Sequence, residues 1–321
     1  MKNILKIIQT LKKNKTFLVT THVNPDADGL CSQLAVAHYI RSLGGKKVYL
    51  INEESAPKRF DFIKGITQIK SVTEVKNLHY DVALVLDCGE LSRIGKVKSV
   101  FDKNKPVINI DHHITNNRFG QINWVDDQAS STTEMIFLLL EEARSVITKD
   151  IALYLYAGMM TDTGSFRFEN TTSRTHEIIA RLMYFDIPVV ELYKKFYEDI
   201  PSQDLKMLTK ILNKFDLLFD GQVVCMVLGK AILSKVSADF DLREAIFKFL
   251  RNMKGAKIFV IFTEVSSQKT RVNFRSVATV DVSALAGHFG GGGHKQASGC
   301  TINKPIRQAK ALVLNYLKKA L

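Results

Sequence analysis

Eight side chains able to hold metal ions or move protons fall at the ends of apolar runs. Residues 16–21 (TFLVTT) lead into His22-Val-Asn-Pro-Asp26-Ala-Asp28-Gly, residues 81–86 (DVALVL) into Asp87-Cys-Gly, and residues 106–110 (PVINI) into Asp111-His112-His113. A further acid, Asp162 in Gly-Met-Met-Thr-Asp-Thr-Gly, follows an apolar, helix-like stretch. In a parallel α/β sheet, ligands bind outside the carboxyl ends of the strands, so three such ends would deliver these side chains to one crevice. Four carboxylates and two or more imidazoles gathered there would repel one another and desolvate badly unless cations held them. The simplest account is a metal site, and the number of ligands points to two ions.

Taken residue by residue, the turn after the first strand can present His22 and Asp26 to one cation and leave Asp28 to reach a neighbour. Asp87 could then bridge, with His112 and Asp162 completing the second site. Mixed imidazole and carboxylate ligands suit Mn²⁺ and related transition ions better than Mg²⁺. Two ions about 3.5–4 Å apart can polarise a phosphoryl oxygen and activate water. Adjacent residues at a strand end point in different directions, so His112 reads as a ligand and His113 as a contact to a substrate phosphate. Asp111 could orient a ligand from behind, and with His113 it is counted among the catalytic residues.

Hydrophobic periodicity sets these motifs on alternating strands and helices up to about residue 185. After the NPDADG turn, Leu30–Leu43 reads as a helix stopped by Gly44-Gly45, followed by a strand at Val48–Asn52. Asp81–Leu86 and Val107–Ile110 have the near-continuous apolar character of buried parallel strands. Ser131-Thr-Thr-Glu134 has the spacing of a capping box and opens a helix over 132–142. Asp150 is expected to cap a helix over 151–159, and further helices are expected near 175–185 and 188–197. The expected architecture is α/β: an N-terminal parallel-sheet domain (1–197), a connector helix (198–215) and a smaller C-terminal α/β domain (216–321), with the active site in the cleft between them. In the second domain Val223–Leu228, Lys257–Phe262 and Arg271–Arg275 read as strands, and Leu242–Met253 and Pro305–Leu317 as helices. Gly287–Gly299 is too glycine-rich for the interior of an element. It reads as a loop whose amides, at Gly291, Gly292 and Gly293, could form an anion-binding nest. His294, Lys295, Arg271 and Arg275 would add positive charge.

Composition agrees with an enzyme handling anions. The 321 residues, 46% hydrophobic and 24% charged, suffice for two cores. The net charge of +13 is uneven: residues 1–190 carry 24 Lys and Arg against 21 Asp and Glu, and residues 191–321 carry 21 against 11. A basic C-terminal part beside an acidic crevice implies a negatively charged substrate, although charge alone decides little. No apolar run reaches the length of a membrane span. The N-terminal stretch reads as an amphipathic helix rather than a signal peptide. Cys31, Cys88, Cys225 and Cys300 show no paired spacing, which argues against a disulfide scaffold and for a reducing cytoplasm.

The set His22…Asp26-Ala-Asp28, Asp87, Asp111-His112-His113 and Asp162, followed by Gly290–His294, resembles the DHH phosphoesterase superfamily with its DHH-associated C-terminal domain. The motifs NPDADG, TDTGSF and FGGGGHKQASGC, with the total length, are similar to those of the bacterial nanoRNase/pAp phosphatase group. The resemblance runs from about residue 15 to about residue 300. It implies Mn²⁺-dependent hydrolysis of short oligonucleotides of two to five nucleotides to nucleoside 5′-monophosphates, and of 3′-phosphoadenosine 5′-phosphate (pAp) to AMP. It assigns one metal to His22, Asp26 and Asp87, and the other to Asp28, Asp87, His112 and Asp162, with Mg²⁺ or Co²⁺ as substitutes for Mn²⁺. It also implies substrate contacts at Arg93, His113, Arg275 and His294. Short RNA or DNA and pAp are the expected partners, no membrane is expected, and a homodimer is left open. Cys31, where glycine is common in relatives, and Ser298, where some carry alanine, are small departures.

Two rival readings remain. The same chemistry could act on pApA, cyclic di-AMP or short single-stranded DNA. A non-catalytic nucleotide-binding protein would be expected to have lost a ligand, yet all six positions carry competent ones.

Overall fold

The computed structural model describes residues 2–75, 78–102, 104–237, 240–277 and 280–320. The chain divides into two compact units, Met1–Glu198 and Asp199–Leu321.

In the first unit, α1 (Lys2–Lys13) precedes β1 (Thr16–Thr20), α2 (Ala27–Ser42), β2 (Lys47–Asn52), β3 (Lys70–Ser71), β4 (Val82–Leu86), β5 (Val107–Asp111) and β6 (Ile122–Val125). The helices α3 (Thr132–Glu142), α4 (Lys149–Asp162), α5 (Ser173–Leu182) and α6 (Val189–Tyr197) follow. The strands form a parallel sheet in the order β3-β2-β1-β4-β5-β6. Chain order reverses between β1 and β4, and at such a switch point the connections diverge and leave a crevice. Every residue of β4 and β5 is buried, as the apolar runs foretold.

One face of the sheet is covered by helices. Almost all of α2 is buried, so its apolar residues are not confined to one stripe, and the polar Asp28, Ser32 and Gln33 are buried with them. It packs with Leu139, Leu140, Leu155 and Met159 of α3 and α4 in a single core. The other face carries Leu18, Ala83 and Val85, packed with Ile94 and Val97 from the 3₁₀ segment Leu91–Val100.

Several local readings need correction. The NPDADG motif is not all turn: α2 begins at Ala27, with Asp26 as its N-cap and Asp28 in its first turn. Thr148 rather than Asp150 caps α4, accepting from the Ile151 amide at 3.3 Å. Asp150 instead meets Lys64 at 2.7 Å. At α3, Ser131 accepts from the Glu134 amide at 3.0 Å, but the reciprocal half of the capping box is not made. The Glu134 carboxylate turns to Ser130, Arg174 and Thr175, giving the buried Ser130 and Thr175 hydroxyls an acceptor.

The second unit contains α7 (Ser202–Leu212), β7 (Asp216–Leu218), β8 (Val223–Leu228), α8 (Lys230–Leu233) and α9 (Leu242–Leu250). Then come β9 (Ile258–Ser266), β10 (Lys269–Ser276), α10 (Val282–His288), β11 (Gly292–His294), β12 (Ala297–Ile302) and α11 (Ile306–Ala320). Its sheet runs β11-β12-β10-β9-β8-β7, antiparallel except for the β8–β9 pair. Leu208 and Ile211 of α7 are buried in a core with Ile246 and Phe247 of α9. A second core on the opposite face joins Val272 and Phe274 to α10 and α11.

The glycine-rich run is not a loop throughout. Gly292–His294 form a strand paired with Ala297–Gly299. A Cβ on Gly291 would lie 2.2 Å from the Gly299 carbonyl oxygen, and one on Gly293 2.6 Å from that of Ala297. These glycines are required by close approach of two strands, a demand that composition alone could not separate from loop flexibility.

Candidate metal centre

His22 lies just beyond β1, Asp87 directly follows β4, and Asp111 ends β5 with His112 and His113 after it. The switch between β1 and β4 thus brings His22 and Asp87 together, with Nε2 of His22 3.6 Å from Asp87 Oδ2 and 3.8 Å from Asp26 Oδ2. On the other side, His112 Nε2 lies 3.5 Å from Asp87 Oδ1, 3.4 Å from Asp162 Oδ2 and 4.0 Å from Asp28 Oδ2. Asp87 therefore turns one carboxylate oxygen to each imidazole. Its backbone is left-handed (φ 53°), a strained conformation for a residue with a Cβ and one that recurs at functional sites.

The imidazoles are oriented from behind. His22 Nδ1 lies 2.9 Å from the Val23 carbonyl oxygen, and His112 Nδ1 3.3 Å from that of Ala129. A carbonyl can only accept, so in the neutral ring Nδ1 carries the proton and Nε2 keeps a lone pair facing the carboxylates. His113 differs: its Nδ1 lies 2.7 Å from Asp111 Oδ1, and Asn116 donates to Asp111 Oδ2.

Asp28 is gripped by the start of α3. Thr132 N donates to Oδ2 at 2.7 Å, while Thr133 N and Oγ1 donate to Oδ1 at 2.9 and 2.6 Å. Thr132 Oγ1 also donates to Asp87 Oδ1 at 3.1 Å. The first amides of a helix lack internal partners and favour anions. These two threonines were missed as functional residues. The signal was present, since Ser131-Thr-Thr-Glu marks a helix start, but which anion it faces is a tertiary fact.

The burial of so much charge perturbs its protonation. Burial, then the charge of Asp87, pushes Asp28 up to about 7. Burial also drives Asp162 well above the carboxylate range, against the opposing charge of His112. Burial disfavours the charged form of Asp87, yet hydrogen bonds to His112 and His22 win and hold it well below its ordinary value. The same contest raises both histidines: burial opposes their charge, while Asp87 and Asp26 act on His22 and Asp162 and Asp87 on His112.

The donor set fits divalent cations. His22, Asp26 and Asp87 form one group whose ligand atoms lie within 4.8 Å of one another, and Asp28, Asp87 and His112 form a second. Among the described residues, Oδ2 of Asp162 is buried with no hydrogen-bond partner, which is costly for a carboxylate unless a cation meets it. Asp111 and His113 join Asp87 in a third group. Arg93 lies on the 3₁₀ segment near His22, whose protonation its charge opposes. The remaining expected contacts belong to the second unit. Arg275 there pairs with Glu244 at 2.8 Å and lies over the Phe247 ring, and His294 ends β11.

The DHH family N-terminal domain matches residues 16–159, and the DHHA1 domain matches residues 221–320. The chain belongs to the DHH family of phosphoesterases. It is 29% identical over 305 residues, 92% of each chain, to the bifunctional oligoribonuclease and PAP phosphatase NrnA of Bacillus subtilis. To the protein of the same name from Thermus thermophilus it is 30% identical over 308 residues, covering 94% of this chain and 89% of that one. Its fold is like that of an exopolyphosphatase-related protein from Bacteroides fragilis, with a TM-score of 0.88 at 24% identity, over 99% of this chain and 96% of the other. Among the described residues, no helix is long and apolar enough to cross a membrane.

Proposed function

We propose that the protein is a two-metal phosphoesterase that hydrolyses oligonucleotides of about two to five nucleotides to nucleoside 5′-monophosphates, and pAp to AMP. The observation that carries this reading is the Asp87 carboxylate, with one oxygen toward His22 and the other toward His112. In this proposal His22, Asp26 and Asp87 hold one ion, and Asp28, Asp87, His112 and Asp162 the other. Bound Mn²⁺, or Mg²⁺ or Co²⁺ in its place, would supply charge neutralisation and a nucleophile at neutral pH. The names of the relatives from Bacillus subtilis and Thermus thermophilus support the substrate class.

The chain's own residues bind and orient. His113 contacts the phosphate undergoing attack, with Asp111 on its Nδ1 holding the ring in place. Arg93 assists with phosphate charge. Arg275 and His294, with the backbone of the Gly291, Gly292 and Gly293 segment, hold the substrate in ground and transition states alike, although the Gly291 amide itself donates to the Ala286 carbonyl at 2.8 Å. The buried thiols of Cys31, Cys88, Cys225 and Cys300 are compatible with a cytoplasmic setting, and light scattering would distinguish a homodimer from a monomer.

Purified protein with Mn²⁺ is to be assayed in parallel on pAp, a 5′-labelled RNA length series, pApA and matched DNA. Rates should peak on the shortest RNA and weaken with salt, since phosphate contacts release counterions. Asp87→Ala should abolish turnover and weaken both metal sites. Near-normal hydrolysis by folded Asp87→Ala would rule out the bridge, and a rate climbing beyond about fifteen nucleotides would point to a processive nuclease.

A further inference from the structure

Asp162 is the last residue of α4, and the chain leaves it through an unusual turn. Gly164, Ser165 and Phe166 are all left-handed, with φ of 56°, 60° and 63°. Only glycine visits this region routinely, and then as single residues, so a run of three persists only where its surroundings impose it. Here they do. Ser165 N donates to the Met160 carbonyl at 2.7 Å, and the amides of Arg167 and Phe168 both reach the Thr163 carbonyl at 3.0 Å. The Phe168 ring lies so close to Gly164 that a Cβ there would come within 2.3 Å of it.

Within the turn Thr163 Oγ1 accepts from the Phe166 amide and Arg167 Nε donates to the Gly164 carbonyl, and Asn170 ties the turn to its surroundings. Asn170 Nδ2 donates to the carbonyl of Asp162 at 3.2 Å and to the carbonyl of Ser130 at 2.8 Å. Ser130 immediately precedes Ser131, the N-cap of α3, whose next two amides hold Asp28. A single amide group therefore ties the exit of α4 to the entry of α3, the two helix ends that set Asp162 and Asp28.

From this geometry we infer that Asn170 is a positioning residue for the metal site: its clasp fixes Asp162 directly and Asp28 through the start of α3. The inference rests on the two-ion reading given above. The Asn170 amide donates to two backbone carbonyls and not to the proposed ligand atoms, so its effect should be larger on one ion's affinity than on the other's. The ion assigned to Asp28, Asp87, His112 and Asp162 depends most on the clasp, whereas His22 lies just beyond β1 and Asp26 caps α2, so the clasp reaches the other ion only through Thr132 Oγ1 on Asp87.

The test is calorimetric titration of Mn²⁺ into wild type, Asn170→Ala and Asn170→Ser, with thermal melts to establish folding. Outer partners of metal ligands typically affect affinity by about 10–100-fold. Asn170→Ala should weaken one of two binding steps by at least about tenfold and the other by clearly less. Asn170→Ser, whose hydroxyl can still donate to one carbonyl, should fall between and serves in place of Asn170→Ala if that variant does not fold. Turnover of the variants should return at high Mn²⁺ with KM unaltered. Two unchanged steps, or two steps weakened alike, would overturn the inference while leaving two-ion binding intact. Fewer than two ions bound by wild type would overturn the two-ion reading, and this inference with it.

Discussion

The amide of Thr132 donates to Asp28 Oδ2 at 2.7 Å, joining the first turn of α3 to the first turn of α2 across more than a hundred residues. Thr133 completes the grip with its own amide and hydroxyl on Oδ1. The result is a buried carboxylate that receives three hydrogen bonds before any cation meets it, which restricts its orientation.

Thr133→Val keeps the shape and the amide but removes the hydroxyl donor. Its expected cost is about 1 kcal/mol of stability and a weakened grip on the ion assigned to Asp28. Thr133→Ser should restore both. Parallel melts and Mn²⁺ titrations read the two effects, and unchanged metal affinity in the valine variant would show that the amides alone suffice.

Gly158 lies inside α4, where alanine would ordinarily add about 1 kcal/mol. A Cβ there, however, would meet Thr133 Cγ2 at 2.4 Å and Asp28 Oδ1 at 2.8 Å. Gly158→Ala is therefore expected to destabilise the protein and to depress turnover, by pushing Thr133 off Asp28. A variant of raised melting temperature and full activity would contradict this account.

Metal binding should release protons. Asp28 is raised to about 7 by burial and the charge of Asp87, and burial also raises Asp162 well above the ordinary carboxylate range. Protons occupy these carboxylates below their pKa and compete with cations there. Mn²⁺ affinity should thus increase as pH rises through 7 and fall as it drops. Calorimetry in two buffers of different ionisation enthalpy counts the released protons; none released at pH 6.5 would refute the competition.

Behind α3, fully buried Glu134 accepts from Arg174 Nε at 2.6 Å, Ser130 Oγ at 2.6 Å and Thr175 Oγ1 at 2.9 Å. Glu134→Ala strips an acceptor from the buried Ser130 and Thr175 hydroxyls and from half-exposed Arg174, and should cost about 1–3 kcal/mol. The loss should appear as a lowered denaturation midpoint at unchanged m-value. A midpoint near wild type would mean that water replaces the carboxylate at little cost.

The chain's own order of residues determined the parallel sheet, since unbroken apolar runs such as VALVL and VINI can be buried only between two covered faces. It also determined the ligand types, because His22, Asp26, Asp28, Asp87, His112 and Asp162 are legible as chemistry at strand and helix ends. Tertiary structure decided how they meet. The reversal between β1 and β4 set Asp87 between two imidazoles, and the arrival of α3 gave Asp28 its amides. Glu134 could have closed a capping box, as its spacing allows, but Arg174 and Thr175 of α5 claimed it. The glycines before His294 could have marked a mobile loop, yet the carbonyls of Ala297 and Gly299 leave no room for a Cβ at 293 or 291. Periodicity reports which side of an element is buried. It carries no record of which distant backbone atom lies within 3 Å, and that distance fixes the carboxylates of this site.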